Sequence, residues 1–336
     1  MSSYEVSVEE EVSRVSVTRP HVVLLGAGAS RATCPTGDKA GHVLPLMNDF
    51  VDVVGLKPLL QSMGINPEGN FEELFSDLWE KGETEKVARI QNLIEEYLDG
   101  LELPDRPTIY DHLVLSLRKD DLIATFNWDP LLMQAYARNH RAGVSMPVLA
   151  FLHGNIRVGY CAKDNVMGWP PAQCRHCGEQ FTKPPLLYPI KKKNYSADLF
   201  IANEWKRLKR GFANAFMVTI FGYSGPNTDQ EAIEAMQQAW GDKNKREMEQ
   251  VALLIAPSQS EKPVRKNWDR FILTGHYEVQ KDFYDSWLAK HPRRTGEAWW
   301  NQYLEAKFIS DNPIPKEMGF SDLWKWFEQF KKAEGN

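Results

Sequence analysis

The polar side chains best placed to do chemistry stand directly after short apolar runs. Asn127 and Asp129 follow residues 122–125, and their spacing puts both side chains on one side of an extended chain. His153 follows a second apolar run, residues 147–152. Histidine exchanges a proton near neutral pH, while an amide and a carboxylate can hold a hydroxyl or a water and stabilise a positive charge. These three residues are therefore candidate catalytic residues.

Two turns of small residues follow apolar runs in the same way. Residues 21–25 lead into the sequence GAGAS at 26–30, and residues 216–221 lead into GYSG at 222–225. Glycines one residue apart allow a sharp turn and a close backbone approach, so that amides point at a ligand phosphate. The first turn predicts a nucleotide pyrophosphate site. It lacks the third glycine of the dinucleotide fingerprint, so a plain strand-to-helix turn is the alternative.

The catalytic candidates have structural alternatives as well. Asp129 alone can start an Asx turn that caps a helix from Pro130 onward, although that interpretation leaves Asn127 unexplained. His153 can satisfy a backbone carbonyl at the end of its strand.

The cysteines suggest a metal site rather than disulfides. Four cysteines in 336 residues do not make a disulfide framework. Cys174 and Cys177 form a C-x-x-C turn of the kind found in half of a zinc ribbon. Cys161 is the one further cysteine nearby, with Asp164 or His176 open as the fourth ligand. The predicted structural zinc ligands are Cys161, Cys174 and Cys177.

The strands and helices that must position these residues are predicted to form an α/β fold. The apolar runs predict strands of a parallel sheet, with a last strand at residues 271–274. Helices are predicted behind Asn70, over about 197–215 and after Asp229. Because the carboxyl ends of parallel strands meet at one edge of a sheet, the candidate residues should share a crevice there.

The chain divides into an N-terminal arm (1–19), a main domain (20–280) and an aromatic helical C-terminal region (281–336). The main domain carries a helical insertion at 45–115 and a ribbon-like segment at 159–193. The polar segment 31–41 is a candidate lid over the glycine turn.

Composition excludes several classes of protein. The chain is 43% hydrophobic and 25% charged, as in ordinary globular proteins. It has no apolar run of about 18 residues and no apolar signal-peptide segment, so no membrane span and a cytoplasmic location are expected. A net charge of −5 gives no general attraction to nucleic acid, and the basic runs at 191–193 and 206–210 are interpreted as solvated faces.

Four motifs, in order, resemble those of sirtuin-like NAD-binding domains: GAGAS at 26–30, TFNWD at 125–129, HG at 153–154 and GYS at 222–224. The resemblance implies a Rossmann-like fold and NAD+ as the ligand. It implies that the glycine turn holds the pyrophosphate and that Asn127, Asp129 and His153 surround the nicotinamide ribose. The implied NAD-binding residues are Gly26, Ala27, Gly28, Ala29, Ser30, Thr125, Gly222, Tyr223 and Ser224.

The departures from protein deacylases are informative. The glycine turn is followed by RATCPTGD, one cysteine pair is reduced to Cys161, and PPLLYPIKKKN replaces the strand that would pair with an acyl-lysine peptide. The chain is in this respect similar to bacterial sirtuin-like effectors, which implies NAD+ hydrolysis in antiphage defence.

The expected reaction is cleavage of the nicotinamide–ribose bond to give nicotinamide and ADP-ribose. Asp129 would favour an oxocarbenium-like ribose, Asn127 would hold a hydroxyl or water, and His153 would act as base. An NAD-dependent protein-lysine deacylase and a non-catalytic NAD- or ADP-ribose-binding module are the alternatives. Regulation by homo-oligomerisation or by an activating partner protein is expected, with the Trp-rich C-terminal helices as a possible contact.

Overall fold

The computed structural model describes residues 4–190, 195–225, 229–246, 250–273 and 276–335. Its strands are β1 (Glu5–Val6), β2 (His21–Leu25), β3 (Leu122–Thr125), β4 (Val148–Phe151), β5 (Gly159–Cys161), β6 (Val166–Gly168), β7 (Met217–Phe221), β8 (Gln250–Leu254), β9 (Tyr277–Gln280) and β10 (Phe308–Ile309). Its α-helices are α1 (Val8–Ser13), α2 (Ala27–Thr33), α3 (Phe50–Val53), α4 (Lys57–Ser62), α5 (Phe71–Glu80), α6 (Thr84–Asp99), α7 (Ile109–Leu115), α8 (Leu131–Asn139), α9 (Leu199–Asn214), α10 (Gln230–Trp240), α11 (Glu261–Trp268), α12 (Trp287–Lys290), α13 (Thr295–Tyr303) and α14 (Phe320–Ala333).

The core of the molecule is a six-stranded sheet in the order β4-β3-β2-β7-β8-β9. All five neighbouring pairs are parallel. Numbered along the chain, the six strands lie in the order 3-2-1-4-5-6, which is the order of dinucleotide-binding Rossmann domains. The order reverses between β2 and β7, so the crevice where such sheets bind ligands lies at the carboxyl ends of these two strands.

The central strands are buried on both faces. Every residue of β2, β3 and β7 is buried, which explains why these runs carry almost no alternation of polar and apolar residues. Helix α9 lies directly on the sheet, because a Cβ on its Gly211 would lie 2.7 Å from Leu122 Cδ2. The predicted fold class, a parallel sheet flanked by helices, is confirmed.

Helices α3 to α7 occupy most of the segment predicted as a helical insertion. Asn70 caps α5 by accepting a hydrogen bond from the Glu72 amide at 2.8 Å, as its sequence position predicts. Two aromatic residues of α5 pack inward: the ring of Phe71 stacks on Phe50 at 4.6 Å, and that of Phe75 on Tyr188 at 5.1 Å. These two aromatics form core, whereas Trp79 on the same helix is exposed.

The prediction of a last strand at 271–274 is wrong for residues 271–273, and Thr274 lies outside the described residues. Phe271 is buried against the ring of Trp268 at 5.3 Å, so its apolar character reflects burial beneath helices. The sixth strand is β9, which contains Glu278 and Gln280. As a half-buried edge strand it lacks a continuous apolar run.

The two ends of the chain pack together. β1 pairs in parallel with β10, and α1 lies against α14. The guanidinium of Arg294 donates to Val12 O at 2.8 and 3.0 Å, and buried His291 lies 2.7 Å from Glu11. Residues 191–193 of the basic run lie outside the described residues. In the described part of the chain, no helix combines the length and the apolar character needed to cross a membrane.

Candidate functional site

Four turns meet at the carboxyl edge of the sheet. Gly26 follows β2, Asn127 lies two residues beyond β3, His153 two residues beyond β4, and Gly222 follows β7. Thr125 pairs with Phe151 in the sheet register, so Asn127 and His153 occupy equivalent positions past the ends of neighbouring strands. The structure therefore brings the predicted residues to one edge, as parallel pairing requires.

The side-chain amide of Asn127 is held in one orientation. Its Nδ2 donates to Gly26 O and to Ser30 Oγ, both at 2.9 Å, and lies 3.2 Å from Tyr110 OH. A carbonyl oxygen only accepts, so the NH₂ must face Gly26 and Oδ1 must face the other way. Within the described part of the chain, no donor bonds to that Oδ1.

Asp129 makes the Asx turn weighed from the sequence and also bonds to the first glycine turn. Its Oδ1 accepts from the Leu131 amide at 3.1 Å, which is the Asx turn that starts α8. Its Oδ2 accepts from Ser30 Oγ at 2.7 Å. Burial raises the pKa of this carboxyl above its ordinary value. Both oxygens are thus hydrogen-bonded within the protein, and Asp129 contacts the first glycine turn through Ser30.

The two glycine turns are hydrogen-bonded to each other in this structure. The amides of Gly26 and Gly28 donate to the carbonyls of Phe221 and Gly222, both at 3.0 Å, and the Ala29 amide donates to Gly26 O at 2.9 Å. The expectation that these amides face a phosphate is therefore not met for these three residues. The cause is close packing, since a Cβ on Gly28 would lie 2.9 Å from Gly222 Cα. The turn residue open to solvent is Ala27.

Aromatic rings surround His153, which is 5% exposed. The ring of Phe126 lies edge-on at 4.8 Å, and the ring of Tyr195 is stacked on the imidazole at 6.0 Å. Phe126 in turn stacks on Tyr223 at 4.3 Å, and Tyr195 packs on Trp205 at 4.3 Å. A substrate can reach this imidazole only if some of these rings move.

Helix α9 fixes the outer edge of β4 beside His153. Glu204 accepts from the Phe151 amide at 2.9 Å, and Trp205 Nε1 donates to Leu152 O at 3.1 Å. Burial raises the pKa of Glu204 to about 7. Sequence reasoning missed Glu204, Trp205 and Tyr110 as site residues, because each reads as an ordinary position of its helix.

The second turn, like the first, contains both buried and exposed residues. Tyr223 is buried and its hydroxyl donates to Asp229 at 2.9 Å, while Ser224 is exposed and its carbonyl accepts from Asn267. The candidate lid, residues 31–41, is tied down by buried Asp38, which accepts from the amides of His42 and Glu102.

The predicted metal ligands form a cluster. Ligand atoms of Cys161, Asp164, Cys174 and Cys177 all lie within 4.8 Å of one another. Asp164 Oδ2 is 3.1 Å from Cys174 Sγ, and Cys161 Sγ is 3.5 Å from Cys177 Sγ. Of the two residues left open as the fourth member, the structure brings Asp164 into this group. Three thiols and a carboxylate make a donor set that suits zinc.

A cavity of about 600 Å³ lies beside Pro130, at the start of α8. Its lining comes from α8 and from the segment around the cysteines, and includes Met133, Ile156, Trp169 and Phe181. No predicted catalytic or NAD-binding residue lines it.

No protein-family model and no curated protein matches this chain. Solved Sir2 structures do match it. One, described as the structural basis for the mechanism and regulation of Sir2 enzymes, is 14% identical, with 98% of this chain and 97% of that chain covered and a TM-score of 0.39. A mutant Sir2 homologue in complex with ADP-ribose is 14% identical, with 98% and 97% covered and a TM-score of 0.41.

A Sir2 homologue in complex with NAD is 14% identical, with 87% and 94% covered and a TM-score of 0.36. These structural neighbours are from the family whose motifs the sequence resembles. With TM-scores below 0.5, the likeness assigns no role to any residue of this chain.

Proposed function

We propose that this chain is an NAD+ hydrolase that cleaves the nicotinamide–ribose bond and releases nicotinamide and ADP-ribose. The observation that carries the proposal is the position of Asn127. It stands at the carboxyl edge of a sheet with Rossmann strand order, beside the β2–β7 reversal, and its amide is fixed with Oδ1 turned away from the backbone it binds.

Cleavage of the nicotinamide–ribose bond requires few catalytic groups from the protein. Nicotinamide carries a positive charge in NAD+ and departs neutral, so no acid is needed to protonate it. The ribose becomes oxocarbenium-like, and an acceptor such as Asn127 Oδ1 can hold a ribose hydroxyl or the attacking water in line. His153 would remove the proton of that water. Asp129 would act through the Ser30 hydroxyl, which it orients.

Close packing around His153 supports a regulated enzyme. Uncontrolled destruction of NAD+ would harm the cell, and the rings of Phe126 and Tyr195 against the imidazole describe a closed site. We therefore include in the proposal that homo-oligomerisation or a partner protein opens the site, as expected of an effector in antiphage defence.

The direct experiment measures nicotinamide and ADP-ribose released from NAD+ by purified protein over a wide range of protein concentration. Wild type is expected to release both products, and Asn127→Ala and His153→Ala to lose about 100-fold or more in kcat. Asn66→Ala and His140→Ala, at exposed positions, serve as controls. Full activity in the two site variants would contradict the proposal.

The same assay separates the alternatives. Nicotinamide release that depends on added acyl-lysine peptide would identify a deacylase. Described residues 184–190 form no strand with which a peptide could pair, so this outcome is not expected. ADP-ribose binding without turnover at any protein concentration would identify a regulatory binding module.

The cysteine cluster is proposed to hold a structural zinc ion, with Cys161, Cys174, Cys177 and Asp164 as ligands. A bound zinc would cross-link the segment that carries β5 and β6, and it has no place in the reaction.

A further inference from the structure

We propose that Tyr110 is a positioning residue of this site: its hydroxyl fixes the Ser30 hydroxyl and the Asn127 amide, and so directs Asn127 Oδ1 at the ligand. Tyr110 comes from α7, the last helix of the insertion, and shows no motif of its own. The inference rests on the proposed function for its kinetic test, and on the hydrogen bonds alone for its spectroscopic test.

The Ser30 hydroxyl uses its full hydrogen-bonding capacity. A serine hydroxyl has one proton to donate and two lone pairs to accept with. The proton goes to Asp129 Oδ2 at 2.7 Å. The lone pairs receive Tyr110 OH at 2.7 Å and Asn127 Nδ2 at 2.9 Å. Every hydrogen bond therefore has a defined direction, running from Tyr110 through Ser30 to Asp129.

Tyr110 is well suited to be the fixed end of this network. Its side chain is fully buried, and burial raises the pKa of its hydroxyl well above the ordinary value. It therefore stays protonated and donates at all ordinary pH. It cannot act as a base, so its contribution is to hold its two partners in place.

Helix α7 holds Tyr110 firmly. The next residue, Asp111, accepts from the Thr108 amide and hydroxyl at 2.7 and 2.6 Å, forming a capping box. Its other oxygen accepts from Arg138 Nε at 2.6 Å and Asn139 Nδ2 at 2.7 Å, both at the end of α8. The helical insertion and the helix after Asp129 are thus joined at the residue beside Tyr110.

Removal of the hydroxyl alone leaves the ring packed and takes one hydrogen-bond partner each from Ser30 and Asn127. Tyr110→Phe is expected to lower kcat for NAD+ cleavage about 10- to 100-fold, with KM changed less than about threefold. In a Ser30→Ala background the same substitution should lower kcat by a smaller factor than in wild type, since only the 3.2 Å contact between Asn127 Nδ2 and Tyr110 OH is then removed. Tyr97→Phe is the matched control, because that hydroxyl also lies in the insertion but donates to Val43 O at 2.6 Å, outside this network.

A readout that needs no activity uses protein labelled with ¹⁵N at asparagine. The side-chain amide signals of Asn127, identified by their loss in Asn127→Asp, should shift in Tyr110→Phe and stay unmoved in Tyr97→Phe. Unmoved Asn127 signals in Tyr110→Phe would overturn the inference, as would equal losses of kcat in the two phenylalanine variants. If wild type never cleaved NAD+ but the Asn127 signals still shifted in Tyr110→Phe, the proposed function would be refuted and the positioning role of Tyr110 would stand.

Discussion

Gly222 illustrates how a glycine in a nucleotide-type motif can be required by packing. Its φ is +63°, and a Cβ there would lie 2.1 Å from the Ala29 amide nitrogen. Since that neighbour is backbone at the start of α2, it cannot move aside without displacing the turn. The glycines at this edge therefore keep two turns in contact, whatever ligand lies over them.

Gly222→Ala is accordingly expected to destabilise the protein by about 3 kcal/mol or more, because steric overlap adds to the cost of a left-handed alanine. Gly82→Ala is the control: its φ is +70° but nothing lies within 4 Å of the added Cβ, so it should cost about 1–2 kcal/mol. Urea unfolding measures both. Equal losses would show that backbone conformation, and not contact between the turns, requires Gly222.

Glu204 predicts a specific pH dependence of stability. Burial raises its pKa from 4.5 to about 7, so between these values the folded chain keeps a proton that the unfolded chain loses. Stability should therefore fall as the pH rises from about 4.5 to 7, by about 3 kcal/mol from this residue. The Glu204→Gln variant should lose less stability over that pH range. Urea unfolding at pH 5 and pH 8 tests this, with exposed Glu234→Gln expected to behave as wild type.

At the residue scale, sequence reasoning found the members that stand after strands and missed those on helices. Asn127 and His153 are visible because a polar residue after an apolar run is unusual. Tyr110 and Glu204 are invisible because their partners, Ser30 and the Phe151 amide, are 80 and 53 residues away in the chain. Only the folded arrangement shows that these positions meet.

At the scale of elements, the buried strands were predictable and the edge strand was not. β2, β3 and β7 must be apolar on both faces, so composition alone marks them. β9 is half-buried and alternates Tyr277 and Val279 with Glu278 and Gln280, so it has no continuous apolar run. The apolar residues at 271–272 give a stronger strand pattern, although they form no strand. The sequence pattern also could not show that the amides of Gly26 and Gly28 are already hydrogen-bonded. Their acceptors are the carbonyls of Phe221, at the end of β7, and Gly222, which are distant in the chain.

The segment containing β5 and β6 gives a prediction about metal. If zinc holds it together, purified protein should contain about one zinc per chain, and Cys174→Ser should lose it. Asp164→Asn, which keeps the size but removes the charge of the ligand, should weaken zinc binding without abolishing it. Elemental analysis and limited proteolysis between residues 159 and 183, with and without chelator, measure this. Cys34→Ser is the control, since Cys34 lies buried outside the cluster.

At the scale of the whole molecule, the predicted arm (1–19) and C-terminal region (281–336) pack on each other. Ser16 and Val17 donate their amides to Glu297 Oε1 at 3.0 and 2.9 Å, and Glu297 also accepts from Arg118 at 3.0 Å. Four large aromatic side chains of the C-terminal region are buried: Phe283, Trp299, Phe327 and Phe330. The pattern predicted helices, but not that both ends of the chain would share a buried charged cluster.

Glu334 is the carboxylate that faces two further buried arginines of the C-terminal region. It accepts from Arg293 Nε and Arg294 Nη1, both at 2.8 Å, and both arginine side chains are fully buried. Although burial raises the pKa of Glu334, hydrogen bonds from the two arginines hold it below its ordinary value of 4.5. Without this carboxylate, two buried guanidinium groups would lose their counter-charge.

Glu334→Gln is therefore expected to destabilise the whole protein by about 3–5 kcal/mol at neutral pH. Because the folded pKa is depressed, the stabilisation is present above about pH 4.5 and is lost as the pH falls further, so wild type should approach the variant in acid. Urea unfolding at pH 7 and pH 4 measures the difference, and exposed Glu328→Gln on the same helix should change neither value. If the variant lost only α14 while the sheet kept its midpoint, the C-terminal region would be a separable unit instead of part of one cooperative fold.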